Sequence, residues 1–183
     1  WQNAGYLVDA ALVTLGEALG GLLLGLIVGI ATAAIITFLV HLERGVLALA
    51  ILVKATPMVA IAPLLTIWLG FGPLPKVIVT ALLTFFPVLI NTIVGIRSVD
   101  NELVELLRSL QATRWQNFVY LELPASLPVL LGGLKIGVTL SVIGAVVSEF
   151  VSADRGLGFL VTTVLTAFTV RMRSTHGIDL TAA

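Results

Sequence analysis

Few side chains in this 183-residue chain are equipped for chemistry, and they are scattered. Its two histidines, His41 and His176, have no partner at a recognisable spacing. There is no HExxH pair and no GxxxxGK phosphate loop. With no cysteine, thiolate nucleophiles, thiolate metal sites and disulfides are excluded. No catalytic residue, metal or cofactor is therefore expected, and His41 reads as a headgroup-level residue. The remaining polar candidates, Lys54, Asn91, Lys135, Ser141, Ser148 and Glu149, sit in apolar surroundings. A charge in hydrocarbon is costly and tends to mark a pathway. Lys135 and Glu149 fall near the ends of their run, so snorkelling to the headgroups accounts for them, and Lys54 is also nearer an end than the middle. Pro57 and Pro63 should kink or interrupt their helix, and irregular backbone at depth is tolerated only beside protein or water. The pathway candidates are accordingly Lys54, Pro57 and Pro63, with Asn91 and Ser148.

The elements that position these groups follow from composition. The chain is 58% hydrophobic and 11% charged, with mean hydropathy +1.12, about half the charge of a soluble domain. It belongs in a lipid bilayer. Ten basic and ten acidic side chains leave no net charge, which argues against nucleic acid as a partner. Runs 12–40, 46–69, 77–96 and 127–151 are each long enough to span, and all must be helical because lipid offers backbone groups no partner. Run 157–170 is too short to span alone, and the tail 171–183 is polar. No signal peptide is expected, and an opening Trp1 reads as a fragment edge. Neither a repeat nor a low-complexity linker divides the chain, so one all-α membrane domain, 1–183, is predicted.

Arg44, Arg97, Arg108 and Arg114 collect in two loops that fall on one side if four spans alternate, and that side should be the cytoplasm. Gly21, Gly25 and Gly29 form a small-residue stripe for close helix packing, within the bundle or as a dimer seam.

The stretch from Asp100 to Pro128 is polar, organised and set between spans. Leu103, Leu106, Leu107 and Leu110 recur at i, i+3, i+4 and i+7, one apolar stripe on a short helix. Asp100 or Asn101 can cap its start, with Glu102 in the first turn where the dipole favours negative charge. Thr113 and Gln116 have the form of a capping box opening a second helix, with Trp115, Phe118 and Val119 on its apolar face. Pro124 and Pro128 should end it before the chain re-enters the membrane. An interfacial helix pair would favour a Lys- and Arg-rich polar face, whereas mixed charges suit docking into a groove on a soluble partner.

These residues resemble a known pattern. Glu105-Leu106-Leu107, then Gln111, then Leu123-Pro124 look like the EAA loop of ABC importer permeases, and 108–116 resembles the form RSLGASRWQ. PMVAIAPLLTIWLGFG (57–72), FPVLINTIVGIRSVD (86–100) and EFVSADRGLGF (149–159) extend the likeness from about Thr14 to Phe159, nearest the nitrate, sulfonate and taurine branch. The resemblance implies an all-α, MetI-like type I importer bundle of about four recognisable spans, with the loop 97–126 as a coupling element. It implies a bacterial inner-membrane permease, not an enzyme, for a small solute such as nitrate, a sulfonate, taurine, a pyrimidine precursor or a riboflavin-like aromatic. Its partners would be cytoplasmic ATPase subunits that hydrolyse ATP, a second permease copy (a homodimer) and an external solute-binding protein. Glu105, Ser109, Leu110, Gln111, Ala112, Trp115 and Pro124 would lie in or beside the ATPase contact. Gln111 stands where the pattern has Gly, and Leu106 and Leu107 replace two alanines. The family's first and last spans are not recognisable, and the tail from about Val161 diverges. The alternatives are a secondary transporter, which needs acidic residues at mid-bilayer, and a membrane enzyme, which needs His, Asp or Glu clustered at one face.

Overall fold

The computed structural model describes residues 4–39, 41, 43–152 and 154–176, and its regular elements are all helical. In order they are α1 (Ala4–Phe38), α2 (Glu43–Ala55), α3 (Met58–Leu69), α4 (Pro73–Arg97), α5 (Asn101–Ser109), α6 (Arg114–Asn117), a π-helical turn (Phe118–Glu122), α7 (Leu123–Ser152) and α8 (Leu157–His176). Among the described residues, three helical stretches are long and apolar enough to cross a membrane: Ala4–Phe38, Pro73–Arg97 and Arg114–Val151. The first begins eight residues before the predicted Leu12.

The predicted run 46–69 is not one continuous span. It divides at Thr56 and Pro57 into helices of 13 and 12 residues, each too short to cross alone. Pro57 adopts φ −62° and ψ 106°, and a proline pushes the residue before it out of the α region. Pro63, by contrast, is accommodated inside α3. Beyond the short apolar stretch 157–170, α8 carries the polar residues Arg171 to His176 as helix. The rest of the predicted tail, 177–183, lies outside the described residues.

α4 is the hub, packed between α1 and α7. The glycine stripe of α1 faces α4 within the chain, which is the bundle-packing role. A Cβ added at Gly21 would overlap Thr80; one at Gly25 would overlap the Thr84 hydroxyl and stand 2.8 Å from the Ala81 carbonyl; one at Gly29 would be 2.9 Å from Val88. Thr84 Oγ1 lies within hydrogen-bonding distance of the Gly21 carbonyl across the seam, at 3.2 Å, and of the Thr80 and Ala81 carbonyls of its own helix, both at 3.1 Å, with one proton to share among them. On its other face α4 meets α7 through Gly133, whose added Cβ would lie 2.7 Å from that of Asn91. Ala33, Ile36, Ala50, Phe86, Leu89 and Ile93 form the apolar core nearer the basic end.

Gly25→Val should therefore force α1 off α4 and destabilise the bundle by about 1–3 kcal/mol, the cost of overpacking. A lower melting temperature in detergent checks this, and an unchanged one would mean that the seam is not closely packed.

Candidate functional site

At the basic end a capped helix stands clear of the bundle. Asp100 is the cap of α5: its carboxylate accepts from the Glu102 N–H at 3.2 Å. Leu103, Leu106 and Leu110 are exposed, the last at 69%, so most of the apolar stripe faces outward, while Leu107 is half-buried. Glu105 and Ser109 are also exposed, and the Ser109 hydroxyl donates to the Leu106 carbonyl at 2.7 Å.

The turn after α5 closes on the residue that replaces glycine. Gln111 is the single non-glycine residue with positive φ among those described, at 57°. Its N–H donates to the Arg108 carbonyl at 2.9 Å, and the Ala112 N–H donates to the Leu107 carbonyl at 3.0 Å. This pair of bonds is a complete Schellman motif, so the left-handed turn forms with glutamine in it.

Thr113 then opens α6 with both bonds of a capping box: its N–H donates to Gln116 Oε1 at 2.8 Å, and its hydroxyl accepts from the Gln116 N–H at 3.3 Å. Trp115, mostly exposed, stacks on Phe38 of α1 at 5.9 Å between ring centroids, with Phe118 at 5.2 Å from the same ring. The Arg114 guanidinium donates to the Thr37 carbonyl. This second helix does not end before the membrane, contrary to the expectation from Pro124 and Pro128. It runs through the π-helical turn directly into α7, with Pro128 inside the helix. The Leu123 N–H reaches back to the Phe118 carbonyl, five residues away. Such a turn leaves a carbonyl without its usual i+4 donor, which suits Pro124, a residue that has no N–H to offer. Pro124 itself is exposed.

Lys54, which is exposed, and Asn91, which is half-buried, line one open cavity of about 540 Å³, with Met58, Phe86 and Ile90 among its apolar walls. Pro57 precedes it as the first residue outside α3. Neither Pro63 nor Ser148 lines this cavity; Ser148 is buried on α7, donating to the Ala145 carbonyl at 2.8 Å. Lys54 is also not near the end of a crossing. It is the penultimate residue of α2, beside the break, because the crossing starts at Glu43 and is completed by α3. Lys135 is exposed on α7 and His41 is exposed between α1 and α2. His176 closes α8.

At the far end the structure contains a buried ionic cluster. Lys76 Nζ pairs with Glu17 Oε1 at 2.8 Å, both side chains being 4% exposed or less. Glu149, 1% exposed, does not snorkel to the headgroups. Its Oε1 accepts from the Thr14 hydroxyl at 2.7 Å and its Oε2 from the Gly158 N–H at 2.6 Å. The turn from α7 to α8 folds over it, with Gly156 at φ +111°, a conformation that needs glycine. Thr14 Oγ1 in turn accepts from the Leu157 N–H at 2.9 Å. Lys76 is absent from the sequence reading because it sits one residue before the apolar run 77–96. A signal was nonetheless available. Gly21 meets Thr80, Gly25 meets Thr84 and Gly29 meets Val88, all 59 residues apart, and Glu17 with Lys76 continues that register one turn earlier.

Together these elements define a polytopic α-helical membrane protein with a capped helix presented at one end. The chain belongs to the family described as the binding-protein-dependent transport system inner membrane component, whose model matches residues 12–183. That match takes in the tail expected to diverge from about Val161. The chain is 44% identical over 163 residues to a riboflavin transport system permease protein of Chloroflexus aurantiacus, covering 88% of this chain and 61% of the relative. It is 38% identical over 148 residues to a formylaminopyrimidine transport permease protein of Halalkalibacterium halodurans, covering 81% and 59%. With a taurine transport system permease protein of Escherichia coli it shares 34% over 163 residues, covering 88% and 56%. The chain thus spans about three fifths of the length of these relatives.

Two outcomes follow from this geometry. Gln111→Gly should stabilise the turn by roughly 0.5–1 kcal/mol, the left-handed penalty less the entropy glycine adds to the unfolded chain. Slower amide exchange at residues 111 and 112 measures it, and Gln111→Val should act in the opposite direction. Lys76→Met leaves the Glu17 carboxylate buried without its cation and should cost about 3–5 kcal/mol. Adding Glu17→Gln should recover part of that loss in thermal unfolding; no recovery would show that the pair is not the cause.

Proposed function

We propose that this chain is the membrane-embedded permease subunit of an ATP-driven importer fed by an external binding protein. The observation that carries the reading is the α5–α6 knob: a doubly capped, outward-facing apolar helix with a tight turn, at the end of the bundle where the arginines collect. That end is cytoplasmic on the positive-inside rule. An amphipathic helix presented in this way fits a groove on a soluble partner, and the partner is the ATPase subunit. Glu105, Ser109, Leu110, Gln111, Ala112 and Trp115 form the contact, and Pro124 belongs to the continuous helix that carries it. Movement of the ATPase reaches the bundle by two routes: through α6 and the π turn into α7, and through Trp115 and Phe118 onto Phe38 of α1. Two copies of the chain work as a homodimer, and the solute passes by the cavity that holds Lys54 and Asn91, beside the break marked by Pro57. Pro63 and Ser148 support the neighbouring helices. The names of the relatives favour a small organic solute, such as a pyrimidine precursor, a riboflavin-like aromatic or a sulfonate.

A cognate ATPase subunit expressed with this chain should co-purify with it. Leu106→Asp, which places a charge on an exposed stripe and disturbs no core, should weaken that association at least tenfold, about 1.4 kcal/mol. Undiminished co-purification would remove α5 from the contact.

A further inference from the structure

α2 and α3 together make one crossing, and its break falls at mid-depth. Lys54 is 11 residues beyond Glu43, roughly 16 Å along the element at ~1.5 Å per residue. That is about half of a ~30 Å hydrocarbon core. Lys54 makes no ion pair or hydrogen bond with the described residues, unlike Lys76, which is neutralised by Glu17. A four-carbon stem does not carry its ammonium from mid-depth to a headgroup, so the charge needs a counter-ion or water where it stands. The adjoining cavity, about 540 Å³, has the size of a small-molecule site, which runs roughly 300–1,000 Å³.

The walls specify what fits. Asn91 is held in place by donating one amide hydrogen to the Pro87 carbonyl at 2.8 Å and by the close approach of Gly133. Its other amide hydrogen and its carbonyl oxygen stay free for a ligand. Met58, Phe86, Ile90 and Ile136 offer only apolar surface. One ammonium, one amide and an otherwise apolar trough complement a solute that has a single anionic group on a flat or apolar body.

We propose that this cavity binds a small organic anion, with its anionic oxygens on Lys54 and its polar edge on Asn91. The assignment rests on the permease reading above and adds to it the charge of the solute and the residue that selects it. An anionic lipid is the less suitable occupant, because a headgroup phosphate lies about half a bilayer away from this depth.

Because the chain has no cysteine, Ile90→Cys gives a single thiol on the cavity wall. The test is its maleimide labelling rate in phosphatidylcholine nanodiscs with naphthalene-2-sulfonate as probe and uncharged naphthalene-2-sulfonamide as control. Labelling should slow about fivefold at a sulfonate concentration four times its dissociation constant, by mass action. The sulfonamide should give little protection, Lys54→Gln should abolish the sulfonate effect, and Lys54→Arg should preserve it. Equal protection by the sulfonamide, protection that survives Lys54→Gln, or no protection by the sulfonate would each overturn the assignment. ATPase association measured on the same preparations separates the two readings. Association without protection removes the anion site alone, whereas protection without association removes the ATPase partner and leaves the site.

Discussion

The parallel seam between α1 and α4 is the contact on which the other elements depend. Lipid gives two apolar helices no hydrophobic reason to associate, so the gain must come from close packing and hydrogen bonding across the interface. Gly21, Gly25 and Gly29 supply the approach, which brings the Thr84 hydroxyl within 3.2 Å of the Gly21 carbonyl. The constant 59-residue offset shows that the Glu17–Lys76 pair sits on the same seam. The glycines therefore set the register, and the ion pair is carried into contact by it. A buried pair is weak evidence for stability in itself, since desolvation offsets most of its attraction. Its contribution here is geometric. With Thr14 and Glu149 it ties α1 and α4 to α7 and to the start of α8.

The opposite end of α1 does comparable work. Phe38 receives Trp115 and Phe118, and the Thr37 carbonyl receives Arg114. The first turn of α6 is thereby seated on α1 while its last turn continues into α7. α5 has no such seat: none of its residues is buried, and it is held by its cap and by the Schellman turn at Gln111. The strain of a non-glycine residue is concentrated where the free helix joins the anchored one. Any movement of α5 relative to the bundle must be absorbed there.

The features legible in the sequence were those that local spacing determines. The cap at Asp100, the box at Thr113 and Gln116, the leucine stripe of α5 and the glycine stripe of α1 each repeat or pair within a few residues. The interruption of α2 and α3 was half legible, because Pro57 announces a break but not that Lys54 lies beside it at mid-crossing. Continuity through Pro124 was not legible, since a π-helical turn has no composition of its own to oppose the rule that proline ends a helix. Glu149 was misplaced because its partner Thr14 is 135 residues away. Gly156 and Gly158 stand only seven and nine residues beyond Glu149, but their spacing does not show that the turn folds back over its carboxylate.

Lys54 and Lys76 show why depth alone is a poor guide to an intramembrane charge. Lys54 lies within the apolar run 46–69 and Lys76 just before the run 77–96, so by spacing Lys54 is the conspicuous one while Lys76 hardly registers. In the fold, Lys76 is buried and meets a carboxylate at 2.8 Å, so its charge is spent inside the bundle and its effect is on packing. Lys54 lines a cavity, and the buried acidic groups of the bundle, Glu17 and Glu149, are already engaged at the far end. The chain thus separates its ionisable groups into a buried set that holds helices together and an exposed one that faces a space. What distinguishes them is whether a partner within the chain has satisfied the charge. Pairing of that kind is a property of tertiary register, which for Lys76 the glycine stripe supplies and for Lys54 the break after α2 withholds.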